Sequence, residues 1–448
     1  MIIGREAEWN FLNSHYQSEE SRILVLYGQK GLGKTAILKD FAHNKASFYY
    51  QARACSEKEQ RIQWGRELMQ KGVSLSQDPG YEELLDKSCS EDNNGPKSKK
   101  ILIFDEFQYF VKSDPSFFSE LLQFVKDSRT LKSIMVVLIS SAVGWVENTM
   151  IAKIGRSALA LSGLWKVREM KYDGLRHLYP EFTDSEAVAI YGILGGNPGL
   201  WKTFMPGQKL EENIAQNLLE ASGRLKQEVD SWLSEELRET AVYRTILAAL
   251  ACGLTKLNDI HAHTGFSRAK ISVYLKNLME LELVDKLSSY ETPGYTNSQK
   301  GIYQISHPLV SFYFRVIFPN QSALELLPTD EFYSVYVKDA IYDFEEQAYE
   351  KICREYLKEQ CEELGEWWGK EGKLPLLGRK KNGKSFAAFT QYHTIPSSEE
   401  LLKYLQILRK AKWEPDECIL FCEQQQEALE SNVIEIKKVP FLIKTIMK

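Results

Sequence analysis

The chain has 448 residues, 44% of them apolar and 26% charged, with a formal net charge of −5. That length exceeds one ordinary domain, so about two to four are expected, each able to bury a core of its own. The acidic balance excludes binding nucleic acid through an overall positive field, and any such contact has to come from a local patch. The seven cysteines (Cys55, Cys89, Cys252, Cys353, Cys361, Cys418 and Cys422) form no C-x-x-C pair and lie at no zinc spacing from a histidine. They fit reduced thiols. No signal-like stretch opens the sequence and no apolar run reaches the roughly 20 residues of a membrane span, so a soluble cytoplasmic protein is expected.

Residues 22–27 are a short apolar run and predict a buried strand. A glycine-rich turn follows, then Lys34–Asn44 with Ile37, Leu38 and Phe41 at helical spacing. Residues 47–52 read as a second strand and 57–72 as a helix, while the polar, turn-rich stretch 86–100 predicts an exposed loop. Ile101–Phe104 is a third strand running into Asp105-Glu106. A helix is predicted over 115–128, and a fourth strand over 134–139 ends in Ser140-Ser141. Apolar strands alternating with helices predict a parallel sheet covered on both faces. From residue 173 the pattern is helical, broken at Gly195-Gly196-Asn197-Pro198, and the last 130 or so residues mix α and β. The expected division is an α/β domain over 1–172, a helical lid over 173–234, a winged helix over 235–305 and a second α/β domain over 306–448.

Gly28-Gln29-Lys30-Gly31-Leu32-Gly33-Lys34-Thr35, followed by Ala36, fits G-x-x-x-x-G-K-[ST] between a strand and a helix. Glycines let successive backbone N–H groups approach phosphate oxygens, and the helix N-terminus adds positive potential. Lys34 is expected on the β- and γ-phosphates of ATP and Thr35 on Mg²⁺. Asp105 is expected to hold Mg²⁺ and Glu106 to serve as general base for the attacking water, although an acidic pair at a strand end can also cap the next helix. Ser140 and Ser141 stand where a polar residue can orient that water or touch the γ-phosphate, or where the strand simply ends. Ser140 joins Lys34 and Glu106 as a catalytic candidate. Arg129, Arg156 and Arg168 are arginine-finger candidates by location, and a second subunit or partner could supply one instead.

Together these residues resemble the archaeal-type ATPase family, a branch close to AAA+ and STAND nucleoside triphosphatases. Ile2-Ile3-Gly4-Arg5-Glu6-Ala7-Glu8 is similar to that family's h-h-G-R-E-x-E opening, which the resemblance places near the adenine with Arg5 as a nucleotide contact. Gly195–Pro198 is similar to its G-G-x-P turn, which implies that Pro198 closes over the nucleotide; a helix C-cap followed by proline fits the same residues. Glu235-Glu236-Leu237-Arg238, Tyr243 and Ile246 resemble the opening of the family's winged helix. Tyr303–Phe318 resembles its Y-x-I-x-D-P segment, with His307 in place of Asp. Phe344-Glu345 and Trp367-Trp368 match landmarks of a C-terminal region that in relatives resembles a PD-(D/E)xK nuclease. Such a nuclease needs an Asp and a Glu-x-Lys on adjacent strands to hold a metal. Here Pro375 falls where the Asp belongs and Phe386–Tyr392 lacks the Glu-x-Lys, so the fold is expected without nuclease activity.

Asn258–Thr264 and Ser267–Leu281 read as two helices joined at Gly265, with Ser267 as N-cap. Ile271, Leu275, Leu278 and Met279 form an inward stripe, which leaves Arg268, Lys270 and Lys276 outside, and 283–305 could form the wing. This layout could place those three side chains on duplex DNA. Residues 235–286 hold seven basic and seven acidic side chains, however, and an intramolecular arm fits as well. The favoured expectation is an ATP-driven switch, with a DNA-processing protein and a nucleotide-binding scaffold without turnover as alternatives. A homo-oligomer or a protein client would suit any of the three.

Overall fold

The computed structural model describes residues 2–90, 99–127, 133–237, 239–292, 301–370, 372–394, 396–423 and 435–437. They form two compact units, Met1–Met170 and Lys171–Lys448.

The first unit is built on β1 (Arg22–Tyr27), β2 (Ser47–Gln51), β3 (Lys100–Asp105), β4 (Ile134–Ser140) and β5 (Gly163–Lys166). Their order is β2-β3-β4-β1-β5, and every pairing is parallel. β3 and β4 are buried along their whole length, which explains the apolar runs Ile101–Phe104 and Ile134–Ile139 within them. Side chains of alternate residues face opposite layers. On one face Leu24, Leu26, Ile101 and Ile103 pack against Leu12 of α1 (Glu6–Tyr16) and against Ile37, Leu38 and Phe41 of α2 (Lys34–Ala42). On the other, Val25, Leu102 and Phe104 pack against α3 (Glu57–Gln70), α4 (Tyr81–Ser90), α5 (Gln108–Ser113) and α6 (Phe117–Asp127). Trp64 anchors that layer, with its ring 5.1 Å from Phe104 and its indole N–H on Ser88 Oγ at 3.1 Å. Two features differ from the sequence expectation. Helix α4 takes the start of the predicted loop 86–100, and residues 91–98 lie outside the described ones. The edge strand β5 is only four residues long and half exposed, so it carries no apolar signal.

The second unit opens with short helices, among them Asp184–Leu194, which Thr183 and Glu186 close with a reciprocal capping box. The helices Thr240–Ala251, Leu257–Thr264 and Arg268–Glu280 follow, with the antiparallel pair β6 (Val284–Leu287) and β7 (Ile302–Ile305) behind them. This is the winged helix-turn-helix. Ser267 accepts the Lys270 N–H at 3.2 Å and Gly265 takes φ +72° as the preceding helix ends. Ile271, Leu275 and Leu278 are buried, and Met279 is only half-buried.

The long helix Lys338–Lys358 then leads to β8 (Cys361–Gly369), β9 (Gly372–Lys380), β10 (Ser385–Gln391), β11 (Glu417–Cys422) and β12 (Glu435–Lys437), ordered β12-β11-β10-β9-β8. β8–β9–β10 are antiparallel and β10–β11–β12 parallel. The positions singled out for a nuclease carry apolar chains in register, with Leu376 opposite Ala388 and Leu377 opposite Ala387. The carbonyl of Pro375 accepts from Arg354 at 2.9 Å. Past β6 the chain turns onto β8. Tyr290 N donates to Glu366 O at 2.7 Å, Trp368 N to Ser289 Oγ at 3.2 Å, and Tyr290 Oη to Glu363 Oε2 at 2.6 Å. Gly365 makes room for this strap, because a Cβ there would stand 2.6 Å from the Tyr290 ring. Among the described residues no helix is long and apolar enough to cross a membrane.

Candidate nucleotide site

The phosphate loop starts where β1 ends. Gly28 has φ +154°, and a Cβ there would stand 2.3 Å from the Val167 carbonyl oxygen, so backbone packing admits no side chain. Gly28 N donates to Ser140 O at 3.2 Å, which ties the loop to β4. Gly31 and Gly33 sit at φ +88° and +89°, left-handed values that glycine takes without strain. Gln29, Lys30 and Ala36 are half-exposed or exposed around the loop, and Leu32 is buried. Lys34, the first residue of α2, folds back on the loop, its Nζ donating to Gly28 O at 2.6 Å and Gln29 O at 2.8 Å. Burial lowers its ammonium to about 8, against the raising pull of Glu106 and Asp105.

Thr35 and Asp105 meet across the site, with Thr35 Oγ1 donating to Asp105 Oδ2 at 2.8 Å. Tyr49 from β2 donates to the same oxygen at 2.8 Å, a partner that nothing in the local sequence pattern announces. Asp105 Oδ1 accepts the N–H of Glu106 at 2.9 Å. Glu106 itself stands at φ +52°, a strained value for a residue with a side chain, as is common where a loop serves a site. Phe107 N donates to Ile139 O at 2.9 Å and holds this turn against β4.

Of the two serines that end β4, Ser141 reaches Glu106. Its N–H lies 3.1 Å from Oε2, and its hydroxyl 2.7 Å from Oε1 and 2.8 Å from Oε2. Ser140, the catalytic candidate, is fully buried, and its Oγ accepts the Ala142 N–H at 3.1 Å. It is engaged in shaping the turn, and of the two serines it is Ser141 that meets the Glu106 carboxylate. Arg5 also differs from its expectation. Its buried guanidinium donates to Leu32 O at 2.7 Å and Arg168 O at 2.8 Å and pairs with Glu8 at 3.2 Å. It therefore braces the loop from behind through protein carbonyls.

Arg168 and Arg156 have exposed side chains, and Arg129 lies outside the described residues. Pro198 belongs to the second unit. It opens the helix Pro198–Trp201, for which Asn197 is the N-cap, and its carbonyl accepts from Tyr179 at 2.7 Å. On the winged helix, Arg268 donates to Asn258 at 2.7 Å, Lys270 lies over the Phe266 and Tyr274 rings at 5.1 and 5.5 Å, and Lys276 is exposed 3.7 Å from Glu280. Arg238 and the side chains of Glu235 and Glu236 lie outside the described residues.

Residues 2–204 match the family described as an ATPase domain predominantly from Archaea. Residues 244–286 match the arsR family of bacterial regulatory proteins, and residues 313–395 match a family of archaeal and bacterial proteins of unknown function. An uncharacterised protein of Methanocaldococcus jannaschii is 27% identical over 451 residues, covering 92% of this chain and 92% of that protein. An uncharacterised ATP-binding protein of the same organism is 33% identical over 45 residues, which are 10% of this chain and 76% of that protein. A Walker-type ATPase of Pyrococcus abyssi has the same fold with a TM-score of 0.51 at 17% identity, covering 70% of this chain and 96% of that one. With its phosphate loop and strand-end acidic pair, the segment 2–204 is an archaeal-type P-loop ATPase domain, followed in the sequence by a winged helix-turn-helix.

Proposed function

We propose that the first unit binds ATP with Mg²⁺ on Gly28–Thr35 and hydrolyses it, and that the ATP and ADP states act as a conformational switch. The observation that carries this reading is the meeting of Thr35 and Asp105 at 2.8 Å, with Glu106 as the next residue. A hydroxyl and a carboxylate are the hard oxygen donors Mg²⁺ prefers, so the residues fit the ion. When bound, Mg²⁺ neutralises charge on the phosphate oxygens. Lys34 would exchange its two loop carbonyls for phosphate oxygens, and the backbone N–H groups of 31–35 would hold the rest. Glu106 would take a proton from water as its oxygen bonds to the γ-phosphorus and the bond to the β–γ bridging oxygen breaks. Arg5 would act by keeping Leu32, and with it the loop, in place. The test is ATP turnover of the wild type beside Lys34→Ala and Glu106→Gln, with and without duplex DNA. Loss in both variants supports the assignment. Turnover that survives Glu106→Gln sinks it, and identical solution scattering with ATP and with ADP sinks the switch.

A second reading is DNA binding. It is favoured by the helix Arg268–Glu280, whose Arg268, Ser272, Val273 and Lys276 are exposed. Against it, Arg268 and Lys270 already have protein partners, and the segment has no net basic charge. Salt-sensitive duplex binding that Arg268→Glu with Lys276→Glu abolishes would raise it above the switch. For the C-terminal sheet we propose a nuclease-like fold without nuclease activity, and metal-dependent cleavage of duplex DNA by the purified chain would refute this.

A further inference from the structure

Gln108, like Tyr49, is a side chain in this site whose presence no phosphate-loop pattern explains. It is the first residue of α5 and only 2% exposed. Its Nε2 donates to Glu106 Oε2 at 2.6 Å, the one bond its side chain makes among the described residues. Its carbonyl Oε1 is buried and accepts no hydrogen bond among the described residues. A glutamine kept for packing would normally satisfy its amide on the backbone, because buried polar groups are paired. The amide orientation is fixed by chemistry: turned over, its oxygen would face a carboxylate oxygen, acceptor against acceptor. Gln108 leaves one polar atom unsatisfied while donating to Glu106.

The bonds to Glu106 divide its two oxygens. Oε2 accepts the Gln108 amide at 2.6 Å and the Ser141 N–H at 3.1 Å. Among the described residues Oε1 has a hydrogen-bond partner only in the Ser141 hydroxyl, at 2.7 Å, and that hydroxyl stands equally close to Oε2 at 2.8 Å. A serine hydroxyl has one proton to donate, so it serves one oxygen at a time, and the two N–H donors pin Oε2.

We infer that Gln108 and Ser141 are positioning residues that anchor Glu106 through Oε2 and leave Oε1 to take the proton of the attacking water. This rests on the ATPase reading above. In the step, water's oxygen bonds to the γ-phosphorus, its proton passes to Oε1, and the bridging oxygen leaves with ADP. The Ser141 hydroxyl swings its own proton to Oε2 as Oε1 becomes protonated. The strained backbone at Glu106 fits this role, since three donors from two segments hold a residue there that would otherwise relax.

The test is steady-state ATP turnover of Gln108→Met, Gln108→Ala, Ser141→Ala and Ser141→Thr, beside wild type and Glu106→Gln. Methionine keeps the length of glutamine and drops the donor, so it covers the case in which the alanine variant does not fold. ADP binding reports folding in every variant. The expected result is a kcat about 10-fold or more lower in Gln108→Met and Ser141→Ala, with the KM for ATP within about two-fold, and recovery in Ser141→Thr, which keeps the hydroxyl. Wild-type kcat in Gln108→Met with an inactive Glu106→Gln overturns this inference and leaves the ATPase reading standing. A fall in kcat matched by lost ADP binding also overturns it, in favour of a structural role. A wild type without turnover, or an active Glu106→Gln, removes both.

Discussion

The guanidinium of Arg5 donates to the carbonyl oxygen of Leu32 at 2.7 Å, joining the first helix to the middle of the phosphate loop. A second bond to Arg168 O extends the brace to the chain beyond β5. Arg5→Ala strands two carbonyls and the buried Glu8, at a cost of about 2–4 kcal/mol. Arg5→Lys should recover little of this, because an ammonium lacks the planar fork that spans both acceptors. Thermal unfolding and ATP affinity measured side by side check this. Both should fall, and unchanged ATP affinity would mean that the loop holds its shape unaided.

The Lys34 ammonium predicts a pH dependence. Its folded value of about 8 lies below the ordinary 10.5, with burial as the largest cause. The charged form therefore disfavours the unliganded fold below about pH 8, and that penalty is relieved as pH rises from 8 towards 10.5. Bound phosphates favour the charged form, so ATP affinity should fall above about pH 8, by up to about ten-fold per unit. Calorimetric titration from pH 7 to 9.5 checks this, and Lys34→Met should be weak and flat over the range.

Tyr49 and Thr35 share one oxygen of Asp105. Tyr49→Phe removes a hydrogen bond to a carboxylate at a half-exposed site, a loss of about 1 kcal/mol. It should shift the Mg²⁺ concentration needed for ATP binding by about two- to five-fold, whereas Thr35→Ala should abolish the Mg²⁺ dependence. Magnesium titrations of nucleotide binding separate the two.

Gly365→Val should displace Tyr290 from β8, since even a Cβ would stand 2.6 Å from its ring. The expected cost is about 1–3 kcal/mol. The readout is amide exchange at Tyr290 and Trp368, whose N–H groups make two of the three bonds between the strap and β8, and exchange should speed up at both.

What the sequence showed and what it hid follow from distance along the chain. The placement of Gly28–Thr35 and Asp105-Glu106 at strand ends was legible because each is a run of consecutive residues directly after an apolar stretch. The two helices around Gly265 were legible from one cap and one apolar stripe. Arg5 was visible as a residue but not as a brace, because its partners lie 27 and 163 positions away. Tyr49 looked like ordinary strand content, and only the parallel pairing of β2 with β3 brings it to Asp105. Neighbouring serines 140 and 141 cannot be told apart by composition; the turn after β4 decides which one meets Glu106. β5 stayed hidden because four half-exposed residues carry no period.

The strap from Ser289 and Tyr290 has one more consequence. β8 is the last strand of its sheet, and its outer side would otherwise present unsatisfied N–H and C=O groups to any extended segment nearby. A bare margin of that kind invites a second molecule to add its own strand, and copies could then stack without limit. By placing Ser289 and Tyr290 there, with the tyrosine ring in the gap that Gly365 leaves, the protein covers part of that margin with its own chain.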